Sequence, residues 1–162
     1  MTFFEVRSVE WRDGVVRLLD QNALPWEMRY VECRRVEEVA RAIREMTVRG
    51  APAIGVAAAM GIALAVVHSN ARSLEELLRD VSSAAEILSK ARPTARNLFW
   101  AIERMIGRIR EARSLEEARS IALSEALKMA DEDVEVNKRI GDVGATLISD
   151  GDVILTHCKQ LG

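Results

Sequence analysis

The apolar residues of this chain follow three successive rhythms. Between Ser8 and Gln21 the stretch SVEWRDGVVRLLDQ has two short apolar runs separated by Arg12-Asp13-Gly14. Asp-Gly between such runs is a strong local hairpin signal. A small antiparallel sheet is therefore predicted. Met28 to Cys33 supplies a third strand, and Pro25 marks the break before it.

From Val36 the period becomes helical. Val36, Val39, Ala40, Ile43 and Met46 recur at spacings of three and four, while Glu37, Glu38, Arg41 and Arg44 take the opposite face. This helix should end near Thr47. A further helix over Ile54 to Val67 is almost uniformly apolar, with Gly55, Ala59 and Ala63 forming a smooth stripe that lets another helix approach closely. It is too short and too rich in Ala and Gly for a membrane span, which needs about 20 strongly apolar residues, so a buried central helix is expected. Three more helices are predicted. SLEELLRDVSSAAEILSK is capped by Ser73 ahead of Glu75 and Glu76, ARNLFWAIERMIGRIREA carries Phe99 and Trp100 as core residues, and SLEEARSIALSEALKMADEDVEVNKRI opens on a capping box of Ser114 and Glu117.

The third rhythm begins after this helical layer. In IGDVGATLISDGDVILTHC a helix ends near the turn SDGD, and Val153, Ile154 and Leu155 follow as a short apolar run resembling a buried parallel strand. The expected architecture is an α+β N-terminal domain, a small antiparallel sheet plus a helical bundle, over residues 1–128. Residues 129–162 would then be the first helix and strand of a truncated Rossmann-like α/β domain.

Composition narrows the function classes. The 162 residues are 49% hydrophobic with a formal net charge of −2, the balance of a folded domain with a real core. Basic residues are interleaved with acids, as in RRVEEVARAIRE, which is the pattern of solvated helix faces and argues against a nucleic-acid partner. Cys33 and Cys158 form no CxxC pair, and a reducing, cytoplasmic setting is expected, with no membrane partner. Nothing in the start MTFFEVRSVEW reads as a targeting segment. No metal set and no cofactor is predicted.

Three short stretches carry candidate chemistry. Arg49-Gly50-Ala51-Pro52 enters the central helix, with Pro52 in the first turn, where its missing N–H does no harm. The free N–H groups there make a small anion site that Arg49 can reinforce, although a Gly at a helix entry also serves as a simple turn. In Arg92-Pro93-Thr94, Thr94 is positioned to cap the next helix. Arg92 is then either a solvated loop residue or the second cation of a phosphate clamp. In LTHC, Cys158 sits at the end of the apolar run, where open α/β sheets bind ligands. Its thiol reads either as a small buried hydrophobe or as a nucleophile or proton donor. His157 falls on the opposite strand face and is not paired with it.

Taken together, LLDQNALPWEMRYVEC, AIREMTVRGAPAIGVAAAMGIAL, RPTARNLFWAIERM, ADEDVEVNKRIGDVGATLI and DGDVILTHC resemble methylthioribose-1-phosphate isomerases over nearly the whole chain up to Cys158. That family shares a superfamily with ribose-1,5-bisphosphate isomerase and with regulatory subunits of the translation initiation guanine-nucleotide exchange factor. The resemblance implies that Arg49, Gly50, Ala51 and Arg92 contact a sugar phosphate and that Cys158 is catalytic. It also implies a Rossmann-like second domain, holding a catalytic aspartate and a substrate-binding Asn-Lys pair. After THC the family continues with Asn, a small residue and Gly, whereas this chain reads Lys159-Gln160-Leu161-Gly162. The expectations are therefore a truncated or split isomerase without activity of its own, and as partner a second copy or a separately encoded C-terminal half. A non-enzymatic interaction module related to the exchange-factor subunits, or a ribose-1,5-bisphosphate isomerase, are the competing expectations.

Overall fold

A computed structural model describes residues 6–155. Strands β1 (Val9–Arg12), β2 (Val15–Leu19) and β3 (Tyr30–Cys33) form one antiparallel sheet in that order. The predicted hairpin forms at Asp13-Gly14. Both residues have positive φ, 50° and 79°, as a tight turn matched to the right-handed strand twist requires. Register sets Val9 opposite Leu18 and Val16 opposite Cys33, and these four side chains bury together. The third strand is shorter than predicted, because Met28 and Arg29 lie outside the ladder.

Five helices follow, α1 (Val36–Arg44), α2 (Ala51–Val67), α3 (Leu74–Ser89), α4 (Arg96–Ile109) and α5 (Leu115–Ala145). Three of them start with the same device. A glutamate at the third helical position turns back to accept backbone N–H groups before the helix: Glu38 from Arg34 and Arg35 at 2.6 and 3.1 Å, Glu76 from Arg72 at 2.8 Å, Glu117 from Arg113 at 2.7 Å. Ser73 and Ser114 also cap α3 and α5 as predicted, accepting from Glu76 and Glu117. Helix α1 stops at Arg44, short of Thr47. There the chain turns back so that the Thr47 N–H donates to the Ala42 carbonyl at 2.9 Å.

Helix α2 is the centre of the molecule, and its longest interfaces are with α4 and α5. Its residues from Ala53 to Leu64 are all buried. The predicted stripe is what makes this crowding tolerable. A Cβ on Gly55 would lie 3.1 Å from the Asn97 backbone oxygen of α4, and Ala59 and Ala63 have no exposed surface. Among the described residues no helix is long and apolar enough to cross a membrane.

Three expectations need correction. The single helix α5 replaces the separate pieces predicted on either side of Ile140, and it passes through the Lys128–Met129 position without a break. The apolar run Val153–Leu155 forms no strand among the described residues, and its side chains are 98%, 60% and 95% exposed. A strand exists only through its ladder partners, and none lies beside this run. Thr94 does not cap α4. The turn closes through the Ala95 N–H onto the Arg92 carbonyl at 3.1 Å, which makes Ala95 the cap residue and leaves Thr94 exposed outside it.

Candidate functional site

The segment before α2 is held from below by a polar run that the sequence reading passed over, Asp20-Gln21-Asn22. The buried Asp20 carboxylate accepts two hydrogen bonds from Arg29, at 3.0 and 2.7 Å, and one from the Asn22 N–H at 3.0 Å. Gln21 donates its backbone N–H to the Thr47 carbonyl at 3.0 Å and its side-chain amide to the Arg49 carbonyl at 3.4 Å. Asn22 accepts from Arg49 Nη2 at 2.6 Å, while Arg49 Nε donates to the Met46 carbonyl at 3.2 Å. With Val48 wholly buried beside it, the Arg49 backbone is fixed on both sides. A polar triplet directly after an apolar strand was the available signal, but its partners lie more than twenty residues away in sequence.

Gly50 then launches the helix at φ 92°, ψ 133°. Residues with a Cβ rarely adopt this conformation, so the position requires glycine. Helix α2 begins with no side-chain cap and no acid in its first turn, and α4 shares both features. These two helices are the exceptions to the glutamate device of α1, α3 and α5. The first turn of α4 lies against the second turn of α2 at the Asn97–Gly55 contact, so the two open N-termini neighbour one another. Unsatisfied N–H groups and the positive ends of two helix dipoles make this corner favourable to an anion.

The structure therefore brings Arg49, Gly50 and Ala51 to the same corner as the turn bearing Arg92. That turn ends next to α4, and among the described residues the Arg92 guanidinium makes no hydrogen bond or ion pair. Cys158 lies outside the described residues. Cys33 is a different kind of thiol: fully packed between sheet and α1, it is pushed up to about 11 by burial and by the nearby Glu38 carboxylate. It has no nucleophilic role at neutral pH.

Beside this corner runs an open groove of about 230 Å3, whose lining includes Pro52, Gly55, Asn97, Trp100, Met129 and Asp133. Trp100 was expected in the core and is instead 52% exposed, standing at the groove edge, while Phe99 does pack partly against the core. Helix α4 turns its Leu98, Ala101, Ile102 and Met105 inward, and position 100 falls on the flank of that face. Trp100 is braced by Arg104, whose guanidinium sits 5.4 Å from the ring centre. Arg104 in turn donates to Glu132 at 2.6 and 3.1 Å and to the buried Glu125 at 2.7 Å, and Arg108 reaches Glu125 at 3.3 Å. Hydrogen bonding to Arg104 holds the Glu132 carboxyl below its usual range, whereas burial pushes the Asp133 carboxyl up.

The fold and these paired open helix ends define an α+β unit organised around one central helix. The chain belongs to the initiation factor 2 subunit family, whose pattern matches residues 47–160. It is 51% identical over 155 residues to the methylthioribose-1-phosphate isomerase of Thermotoga maritima, covering 96% of this chain and 44% of that protein. The crystal structure of 5-methylthioribose 1-phosphate isomerase from Pyrococcus horikoshii superposes with a TM-score of 0.86 at 46% identity, covering 90% of this chain and 41% of that one. That of translation initiation factor eIF-2B subunit delta from A. fulgidus does so with a TM-score of 0.85 at 46% identity, covering 91% and 43%. The chain thus spans under half the length of the curated relatives it matches.

Proposed function

We propose that this chain is the phosphate-holding half of an aldose–ketose isomerase that converts 5-methylthioribose 1-phosphate into 5-methylthioribulose 1-phosphate in methionine salvage. The observation that carries this reading is the pair of neighbouring, uncapped helix N-termini, with Arg49 on one entry and Arg92 on the other. Helix ends and arginine forks are the groups that bind a phosphate dianion well. Phosphate on the anomeric carbon blocks simple ring opening, so the reaction needs acid–base groups at the ring while the phosphate is held still. Cys158 is one such group in this reading, and the other is an aspartate of a Rossmann-like second domain, to which residues 129–162 lead. Both must come within hydrogen-bond reach of the reacting atoms.

Calorimetric titration of the chain with 5-methylthioribose 1-phosphate tests the phosphate half directly. Saturable binding is expected, and Arg49→Ala or Arg92→Ala each weaken it about tenfold or more, since a hydrogen bond to a charged group contributes about 1.5–3 kcal/mol. Binding indifferent to both arginines would sink the proposal. No isomerase turnover is expected from the chain by itself, and turnover would overturn the reading that it is a half. The same titration with ribose 1,5-bisphosphate separates the two sugar phosphates by their relative affinity. A second reading, a non-enzymatic interaction module, is favoured by the likeness to the eIF-2B delta structure. It expects no sugar-phosphate binding at all.

A further inference from the structure

We propose that the distal half of α5, from Val136 through Ile140 and Val143 to Leu147, is the docking face for a separate α/β domain, the second half that the matched relatives possess. This inference rests on the reading of the chain as one half of such a protein. The proximal half of α5 buries Ala118, Ala122, Ala126 and Met129 against α2 and α4. The same spacing of three and four residues continues through Val136, Ile140, Val143 and Leu147, yet there the side chains are 51%, 64%, 68% and 81% exposed. An apolar stripe sustained over three further turns, without anything packed on it, is a contact surface waiting for its other side.

Two further observations mark what it receives. Gly141 and Gly144 lie on this stretch of helix with nothing within 4 Å of where a Cβ would stand. Glycine weakens an exposed helix relative to alanine, and its return here is that a packed element can approach the backbone closely. The shallow open groove of about 550 Å3 along Val136, Ile140, Val143 and Gly144 also shares Val136 with the groove edged by Trp100. Whatever covers α5 therefore extends over Trp100 toward the corner of Arg49 and Arg92, where the proposed reaction needs groups that this chain does not carry. A second copy of the chain would bring another phosphate corner and none of those groups. More than half of each relative lies outside the matched part, ample for a domain.

The test is co-expression of this chain with the half of the Thermotoga maritima relative that it does not match, carrying a separate tag. A one-to-one complex is expected by light scattering, and Ile140→Asp combined with Val143→Asp should reduce co-purification at least tenfold while leaving the circular dichroism of the chain unchanged. Should the second half fail to fold as a separate polypeptide, a chimera joining it after Leu155 gives the same answer by amide hydrogen exchange. Exchange over residues 136–147 should slow at least tenfold relative to the chain alone. A complex insensitive to the double substitution, or a chimera with no added protection, overturns the proposal. So does a homodimer of the chain that the double substitution converts to monomer, which would assign the face to a second copy. Each of these outcomes leaves sugar-phosphate binding through Arg49 and Arg92 unaffected, so a failure here is distinct from a failure of the functional reading.

Discussion

The two halves of α5 are written with the same helical spacing and have opposite fates. Along the proximal half the inward positions are small, Ala118, Ala122 and Ala126, and fully buried, because α2 and α4 press close. Along the distal half the corresponding positions are large, Val136, Ile140, Val143 and Leu147, and stand in solvent. Residue size follows the distance to the neighbour: alanines suit a close helix crossing, and branched side chains suit a partner farther off. Spacing alone therefore identifies a contact face, while side-chain size tells which neighbour it was shaped for.

The sharpest way to break this contrast is a charge on each half. Ala126 has no exposed surface, so Ala126→Asp buries an unpaired carboxylate among apolar neighbours, at a cost of about 4 kcal/mol or more. The chain should lose its cooperative thermal transition or show one lowered by more than 10 °C. Glu125 marks the one place where the proximal face tolerates charge, because its buried carboxylate takes hydrogen bonds from both Arg104 and Arg108. Removing it by Glu125→Ala leaves Arg104 with Glu132 only, and a loss of about 3 kcal/mol is expected in urea unfolding. A neutral result there would mean that the network is solvated and the proximal half less sealed than described.

This comparison also explains which features the sequence made legible. The hairpin, the helix stripes and the serine caps were readable because each depends on residues within a few positions of one another, as with Asp13-Gly14 or Ser114 and Glu117. The corner of the candidate site was half readable. Arg49, Gly50 and Ala51 announced a helix entry, but their support by Gln21 and Asn22 and the contact of Gly55 with Asn97 are long-range. Trp100 and the run Val153–Leu155 misled for a related reason. Apolar character states that a residue wants a partner, and only the tertiary arrangement states whether the partner is present.

Glycines sharpen the comparison at a smaller scale. Gly55→Ala sets a methyl 3.1 Å from the Asn97 carbonyl, and α4 cannot easily yield because Leu98 beside it is wholly buried. The steric cost should outweigh the gain in helix propensity, for a net loss of about 1 kcal/mol. Gly141→Ala meets no neighbour and should stabilise the isolated chain by about 0.5–1 kcal/mol. Measured by thermal unfolding, the two identical substitutions are expected to move in opposite directions. Equal signs would remove the distinction between a filled and an open helix face.

The smallest expected effect is the most telling one. Ile140 is 64% exposed in the isolated chain, so Ile140→Asp removes little buried apolar area, and the two residues differ only slightly in helix propensity. Unfolding free energy should change by no more than about 0.5 kcal/mol, against the about 4 kcal/mol expected for a carboxylate at Ala126. Chemical denaturation of the two variants side by side makes the measurement. Selection for the stability of this chain alone would give no reason to keep a large apolar residue at position 140. A null effect on folding thus ties Ile140 to whatever packs against α5, and a loss of 2 kcal/mol or more would show that the distal face is already part of the core.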